Sequence, residues 1–347
     1  MRVLVINSGS SSIKFCLYQM DQENLLVSGK IERIGEPDSI CLYRRYQAFD
    51  DVEQRSENSP VANHTIGLKN IFAFLTSSSS LDSMESLSAI GHRVVHGGEV
   101  LQTPTLVDAD VVHAIHEMIP LSPLHNPANL AGIEITRQLC PQVPQIAVFD
   151  TAFFRTLPPH AYRYALPKEL YRQHHVRRYG FHGTSHQYVA RQAAEYLQQP
   201  LDKLRLITLH LGNGASVSAI RDGVCVDTSM GMTPLEGLIM GTRCGDLDPS
   251  LHFYLARTLG MDINQIEILL NHDSGLKGLC GASDMREVHR LANKGNEDAN
   301  LALAMYCYRI SKYIGAYTIS LGGLDALVFT AGIGENDPQI RQAICNR

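Results

Sequence analysis

One plan is written twice in this chain, and it constrains the fold more than any other feature. Residues 2–7, 12–18 and 25–31 carry apolar β-formers separated by short polar turns, which predicts three strands in an antiparallel meander. The segment LRLITLHLGNGASVSAIRDGVCVDTS, 204–229, has the same order: strand, Gly-rich turn, strand, Asp-Gly turn, strand. Letter identity between the two is weak, but the order of elements is shared. Two copies of such a unit predict a duplicated α/β fold with a cleft between the halves. IAVFD, 146–150, reads as a short buried strand ending in an aspartate, and proline turns follow it. The boundary is therefore expected near 150, with one domain over 1–150 and a second over 151–347.

The remaining elements are sketched by pattern. A helix is expected over 66–76, a serine-rich surface loop over 76–88, a strand over 87–91, and helices from Asp108 and after Pro127. A long apolar helix is expected over 298–321. DALVFTAGIGEN, 325–336, reads as a buried strand running into a Gly-rich loop. Asn336, Asp337 and Pro338 look like a helix start, with Ile340 and Ile344 on one face and Arg347 in mid-helix.

Composition excludes several classes of function. A net charge of −5 without a basic run argues against nucleic acid, and no apolar stretch is long enough to span a bilayer. The N-terminus enters a strand directly, with no visible signal peptide. The eight cysteines include no CxxC pair, which favours reduced thiols and a cytoplasmic setting over disulfides or zinc.

Three Ser/Gly loops follow apolar strands: Asn7–Ser12, His210–Gly214 and Gly332–Asn336. Glycines let backbone N–H groups approach phosphate oxygens, and hydroxyls add donors. Each alone reads more readily as a Gly-rich hairpin turn; three together point to a nucleotide cleft. None matches a Walker loop or GxGxxG. Lys14 lies between apolar neighbours on a strand, so it points to the opposite face, toward phosphate or toward solvent. Arg93 in GHRVVHGG and Arg243 in MGTRCGD have small neighbours that leave room for a guanidinium fork. Each suits either an anionic ligand or a structural salt bridge. Asp150 sits where α/β folds place chemistry, as a magnesium ligand, a base or a cap. Among the histidines, HGTSH (182–186) lacks the glutamate of HExxH, so donors to a phosphoryl group fit better than zinc ligands, and His92 and His186 read as structural. There is no GxSxG elbow.

Taken together, INSGSSSIKF (6–15), GHRVVHGG (91–98), PLSPLHNPAN (120–129), VFDTAFF (148–154), RRYGFHGTSH (177–186), HLGNGAS (210–216), DTSMGMTPLEGLIMGTRCGDLDP (227–249) and FTAGIGEN (329–336) resemble the acetate kinase family, which includes propionate and butyrate kinases. The resemblance implies the actin/hexokinase/Hsp70-like (ribonuclease H-like) fold, with ATP between two duplicated domains. It implies that Asn7 helps place Mg2+, with Mn2+ as the alternative. Lys14, Ser10 and Ser12 would lie near the phosphates. Arg93 and Arg243 would hold the substrate carboxylate and the phosphoryl group in flight. Asp150 would be the essential carboxylate, and His182 would stabilise the transition state. His210, Leu211, Gly212, Asn213 and Gly214 would surround the nucleotide, together with Asp284, Met285, Arg286 and Gly332, Ile333, Gly334, Glu335, Asn336. Val95, Leu124, Phe181 and Pro234 match the acyl pocket, with His125 beside the substrate.

The implied reaction is in-line transfer from ATP to a short carboxylate, acetate before propionate, by a homodimer that uses neither nucleic acid nor membrane. Two other readings stay open: a nucleotide-binding protein with impaired catalysis, and a sugar kinase of the same broad fold. The chain departs from the family pattern at Cys244, where serine is usual, and at Phe154, where histidine is common. SGLKGLCGASDMR, 274–286, matches only in part. Family members continue a few dozen residues further, through an Asn-Glu-Glu motif and a helix that returns to the first domain. Without them, the N-terminal domain is expected to lack that packing piece and Asn7 its metal partner.

Overall fold

The structure is a computed structural model that describes residues 1–48, 51–78 and 80–347. These form two compact units, Met1–Ala152 and Phe153–Arg347. The first contains β1 (Arg2–Ser8), β2 (Ser12–Gln19), β3 (Asn24–Glu32), β4 (Ile40–Ala48), β5 (Asp51–Asn58), β6 (Ala89–Val94), β7 (Thr105–Leu106) and β8 (Gln145–Phe149). They make one sheet in the order β5-β4-β3-β2-β1-β6-β8-β7. Its helices are α1 (His64–Ser77), α2 (Ala109–Glu117) and α3 (Asn126–Leu139).

Alternation drives the meander. Leu4 and Ile6 on β1, Ile13, Phe15 and Leu17 on β2, and Val27 and Ile31 on β3 are all buried against Leu68, Ile71 and Leu75 of α1. Each such side chain contributes about 1.5–3 kcal/mol of transfer free energy. Gly29 on β3 makes room for Phe15: a Cβ there would lie 2.5 Å from the ring. Helix α1 starts at an Asn63 cap whose side chain accepts from Ile66 N. The serine-rich stretch 76–88 holds the end of α1 and a single 3-10 turn, Met84–Ser86; Ser79 lies outside the described residues.

The second unit repeats the plan with β9 (Leu206–Leu211), β10 (Ala215–Arg221), β11 (Val224–Thr228) and β12 (Ala326–Thr330), in the order β11-β10-β9-β12. In both units a three-stranded antiparallel meander gains a parallel strand on the free side of its first strand: β6 beside β1, and β12 beside β9. The Asp222-Gly223 turn joins β10 to β11 with both φ angles positive, as a two-residue hairpin requires. The fold is thus a duplicated α/β unit of the actin/hexokinase/Hsp70-like class.

The helices of this unit are α4 (Pro159–Tyr162), α5 (Lys168–His174), α6 (Gly183–Leu197), α7 (Ser250–Leu259), α8 (Ile263–His272), α9 (Gly275–Cys280), α10 (Met285–Asn293), α11 (Glu297–Leu321), α12 (Ala331–Asn336) and α13 (Pro338–Cys345). Two expectations are corrected at its end. The Gly-rich stretch Gly332–Asn336 is not a loop but the body of α12, closed by Glu335, whose carboxylate accepts from Ala331 N and Thr330 Oγ1. The next helix is separate and begins at Pro338. Asp337 caps it by accepting from Ile340 N, and it ends at Cys345, so Arg347 lies beyond it. Ile340 and Ile344 do share its buried face.

Candidate active site

In the first unit the site grows from the C-terminal ends of β1, β6 and β8. Asn7 is half-buried near the end of β1 and pairs in register with Lys14. Ile13 and Phe15 are buried, and Lys14 between them is exposed on the opposite face. The turn is tight, with Gly9 N donating to Ser12 O at 2.7 Å, and Ser10 is exposed at its tip. His64 braces it from α1, with Nε2 2.7 Å from Gly9 O.

Arg93 on β6 and Asp150 just past β8 meet because these strands are parallel neighbours, Arg93 opposite Val148. The guanidinium donates from Nε to both carboxylate oxygens, at 3.0 and 3.1 Å, and from Nη2 to Oδ2 at 2.6 Å. Asp150 is 1% exposed, whereas the Arg93 side chain is 35% exposed. The adjacent carboxylate raises the Arg93 pKa. Arg93 thus takes the salt bridge that its sequence context allowed, with Asp150, another of the four predicted catalytic residues, as its partner.

Two asparagines that went unassigned in PLHNPAN hold this corner. They lie three residues apart on α3 and therefore on one face. Asn129 accepts from Val95 N at 3.0 Å and donates to Ser8 O at 2.6 Å, which ties β1 to the chain after β6. Asn126 accepts from His96 N and donates to His96 O. Thr151 accepts from Gly97 N. Val95 is buried at 8% exposure, Leu124 is 45% exposed, and His125 is half-buried. The reading of His92 as structural holds: it is buried and bonded to Gln145 Oε1 at 2.9 Å.

In the second unit His182 precedes α6 with φ +60, a left-handed conformation that is uncommon for a side chain of this size. Its ring stacks on His210 at 4.1 Å between centroids. A Cβ on Gly214 would lie 3.5 Å from His182 Nε2 and 3.6 Å from Arg243 Nη1, so this glycine lets both approach one point of the backbone. Arg243 donates to Pro234 O at 3.4 Å and has no carboxylate partner among the described residues. Burial lowers its pKa. Phe181 is 1% exposed and lies in the interior, not on an open wall.

The loop bearing Pro234 and Arg243 is pinned from several sides. Arg178 Nη1 donates to the carbonyls of Thr228, Ser229 and Met230, at 2.9, 3.1 and 3.0 Å, and Nη2 pairs with Glu236 at 2.5 Å. Tyr164 donates to Glu236 and accepts from Met232 N. From α11, Arg309 donates to the carbonyls of Gly237 and Asp246, and Tyr313 donates to the Asp246 carboxylate. Cys244 donates its thiol to Gly245 O at 3.1 Å, a bond a serine would also make. Burial pushes that thiol up to about 11.

A cavity of about 970 Å³ opens in this unit. Its walls include Gly212 and Asn213 from the β9–β10 turn, Asp284, Met285 and Arg286 from the start of α10, and Gly332, Ile333 and Asn336 from α12. Eight of the sixteen residues assigned to the nucleotide therefore share one pocket. His289, Asn293 and Asp337 also line it, without a motif to announce them. His289 Nε2 sits 2.7 Å from Asp337 Oδ2. Asp284 caps α10, and its bond from Arg286 holds its carboxyl down near about 2. Leu211 and Gly334 are buried, and Glu335 is turned back to brace α12, so these three do not line the cavity. Lys14, Ser10 and Ser12 belong to the first unit. No cluster of three metal-capable His, Cys, Asp or Glu side chains occurs among the described residues.

Known proteins are similar to this chain along its whole length. The chain is 52% identical over 347 residues to an acetate kinase of Syntrophobacter fumaroxidans, covering 100% of this chain and 84% of the relative. It is 53% identical over 345 residues to one from a Sulfurovum species, covering 99% and 85%. Among solved structures, Porphyromonas gingivalis acetate kinase superposes with a TM-score of 0.91 at 45% identity, over 99% of this chain and 86% of that one. A propionate kinase from Francisella tularensis superposes with a TM-score of 0.93 at 43% identity, over 99% and 87%. The profile described as "Acetokinase family" matches residues 2–347, so the chain belongs to the acetokinase family.

Proposed function

We propose that the chain is an acetate kinase. A carboxylate oxygen of acetate attacks the γ-phosphorus of ATP in line, the bond to the β–γ bridging oxygen breaks, and acetyl phosphate and ADP form; the reverse transfer uses the same groups. The observation that carries this reading is the meeting of His182 and Arg243 on Gly214. A guanidinium without a carboxylate partner and an imidazole edge face one glycine of the phosphate loop, an arrangement suited to an anion in transfer. The names of the relatives supply the acid.

In this reading Arg243 and His182 stabilise the phosphoryl group. Arg93 receives the substrate carboxylate through its outer edge, while Asp150 holds the inner edge in place. The family resemblance assigns Val95, Leu124 and Pro234 to the acyl methyl, with His125 beside the substrate; Phe181, assigned there too, is buried and would act only from behind. The α10–α12 cavity takes the nucleotide, and His210, Leu211, Gly214, Gly334 and Glu335 shape its loops. The family resemblance assigns Lys14, Ser10 and Ser12 to the phosphates.

The metal assignment fits a cation that arrives on the nucleotide. The Asn7 amide has no hydrogen-bond partner among the described residues, and no acidic cage competes with it. Mg2+ binds through few protein oxygens plus phosphates. Asn7 would offer its amide oxygen, and Mg2+, or Mn2+ in its place, would neutralise charge on the phosphates.

A homodimer is proposed on helix α7, which buries no residue yet exposes Leu251, Phe253, Tyr254 and Leu259. Light scattering reads the mass directly. The free thiols suit a cytoplasmic setting.

The test is acyl phosphate trapping with hydroxylamine under ATP and Mg2+. Acetate is expected to give the higher kcat/KM. The Francisella relative makes propionate the second reading, and a higher kcat/KM for propionate selects it. ATP binding with no hydroxamate from either acid refutes both.

A further inference from the structure

Behind His182 the second unit buries a line of hydrogen-bonding side chains. His182 Nδ1 lies 2.9 Å from Ser216 Oγ, Ser216 Oγ lies 2.7 Å from His186 Nε2, and His186 Nδ1 lies 2.7 Å from Thr208 Oγ1. Thr208 on β9, Ser216 on β10 and His186 in the second turn of α6 are each 0% exposed. Phe154 packs edge-on against the His186 ring, where the family pattern commonly has a histidine. These three residues are closed to bulk solvent, so their internal donors and acceptors must match one another.

That requirement fixes a direction. The Thr208 hydroxyl has one side-chain partner among the described residues, His186 Nδ1, and must donate to it. His186 then carries its proton on Nε2 and donates to Ser216 Oγ. A doubly protonated His186 would leave the Thr208 hydroxyl without an acceptor, and burial holds this imidazole's pKa well below its ordinary value. The Ser216 proton has one acceptor left, His182 Nδ1. His182 must then bear its own proton on Nε2, the atom that faces Gly214.

We propose that Ser216, His186 and Thr208 are positioning residues that hold His182 in its Nε2–H tautomer, so that the ring presents a donor to the phosphate loop. The catalytic consequence rests on the role proposed for His182; the tautomer itself does not. Without Ser216 both nitrogens of His182 compete for the proton. A ring in the Nδ1–H form offers a lone pair, not a donor, to an anionic oxygen.

The tautomer can be read from long-range 1H–15N spectra of protein labelled with 15N-histidine, the His182 signals being assigned by their loss in His182→Gln. The wild type is expected to show Nε2–H at His182. Ser216→Ala and Thr208→Val are expected to add an Nδ1–H population, and kcat is expected to fall about 10-fold or more with KM nearly unchanged, as removing a preorganised donor does. Thr208→Val keeps the side-chain shape and serves if Ser216→Ala does not fold. An Nδ1–H signal in the wild type overturns the proposal, as does an unchanged tautomer in the folded variants. A wild type that makes no acyl phosphate but shows the tautomer shift in both variants supports the positioning role and refutes the kinase reading.

Discussion

Replacing Arg93 by methionine tests the pair at the end of β6 and β8. The change keeps an apolar stem of similar length and removes three donor contacts to Asp150. Asp150 is 1% exposed and would become a buried carboxylate without its counter-ion. Breaking such a pair from one side costs about 3–5 kcal/mol when both groups are dry. The Arg93 side chain is 35% exposed, so solvent already screens part of the attraction. A cost at or below the bottom of that range, about 2–3 kcal/mol, is therefore expected. For a unit of this size that corresponds to a fall of roughly 4–12 °C in Tm. Urea unfolding of wild type, Arg93→Met, Asp150→Asn and the double variant makes a complete cycle. The double variant should regain most of the loss, because no charge is left buried alone. If the single effects add to within about 0.5 kcal/mol, the two groups are independent and the reasoning fails.

Three further outcomes are expected. Val95→Ala should widen the proposed acyl pocket and raise the propionate-to-acetate ratio of kcat/KM by roughly 10-fold, the scale of one methylene; an unchanged ratio removes Val95 from that pocket. Gly241→Ala drives a Cβ into Asn213 Oδ1 and places it 3.1 Å from Ser283 O, both on the cavity proposed for the nucleotide, so KM for ATP should rise while KM for acetate holds; a nucleotide KM equal to wild type rules out that wall. His92 and His96 have pKa values pushed by burial to about 4 and about 3. The unfolded chain takes up protons below the ordinary value near 6.5 and the folded chain does not, so stability is whole above that pH and falls as pH is lowered toward 4. His92→Gln should flatten that slope in urea midpoints measured across the window; the wild-type slope in the variant refutes the assignment.

Much of this was legible because it rests on short-range rules. The meander 2–31 shows itself by apolar β-formers between turns, and β9 by an apolar run buried on both faces. Strands β4 and β5 were not anticipated. Their sequences, ICLYRRYQA and DVEQRSEN, carry too little apolar alternation, since β5 is an edge strand exposed to solvent. The Gly332–Asn336 stretch misled for another reason: glycines normally break helices, but a short turn braced by Glu335 tolerates them. Within the site, Arg93 and Asp150 were each legible as chemistry, but not as partners, because strand adjacency is a tertiary fact. His289 and Asn293 reach the cavity proposed for the nucleotide from the side of an ordinary helix. Ser216, a plain serine in a strand, gains its meaning only from the two rings it joins.

The arginine that gathers three consecutive carbonyls has a consequence for how the protein can respond to its surroundings. Burial alone would lower the pKa of Arg178, but Glu236, Tyr164 and Tyr317 outweigh it and the net shift is upward. No accessible pH discharges this group. The Pro234–Arg243 loop is therefore moored to a fixture that stays charged from acid to alkali, and its shape is expected to persist across that range. The acid sensitivity of the fold enters elsewhere, through the buried imidazoles of His92 and His96 in the first unit, so the group that sets this loop's form is separate from the groups that register acid.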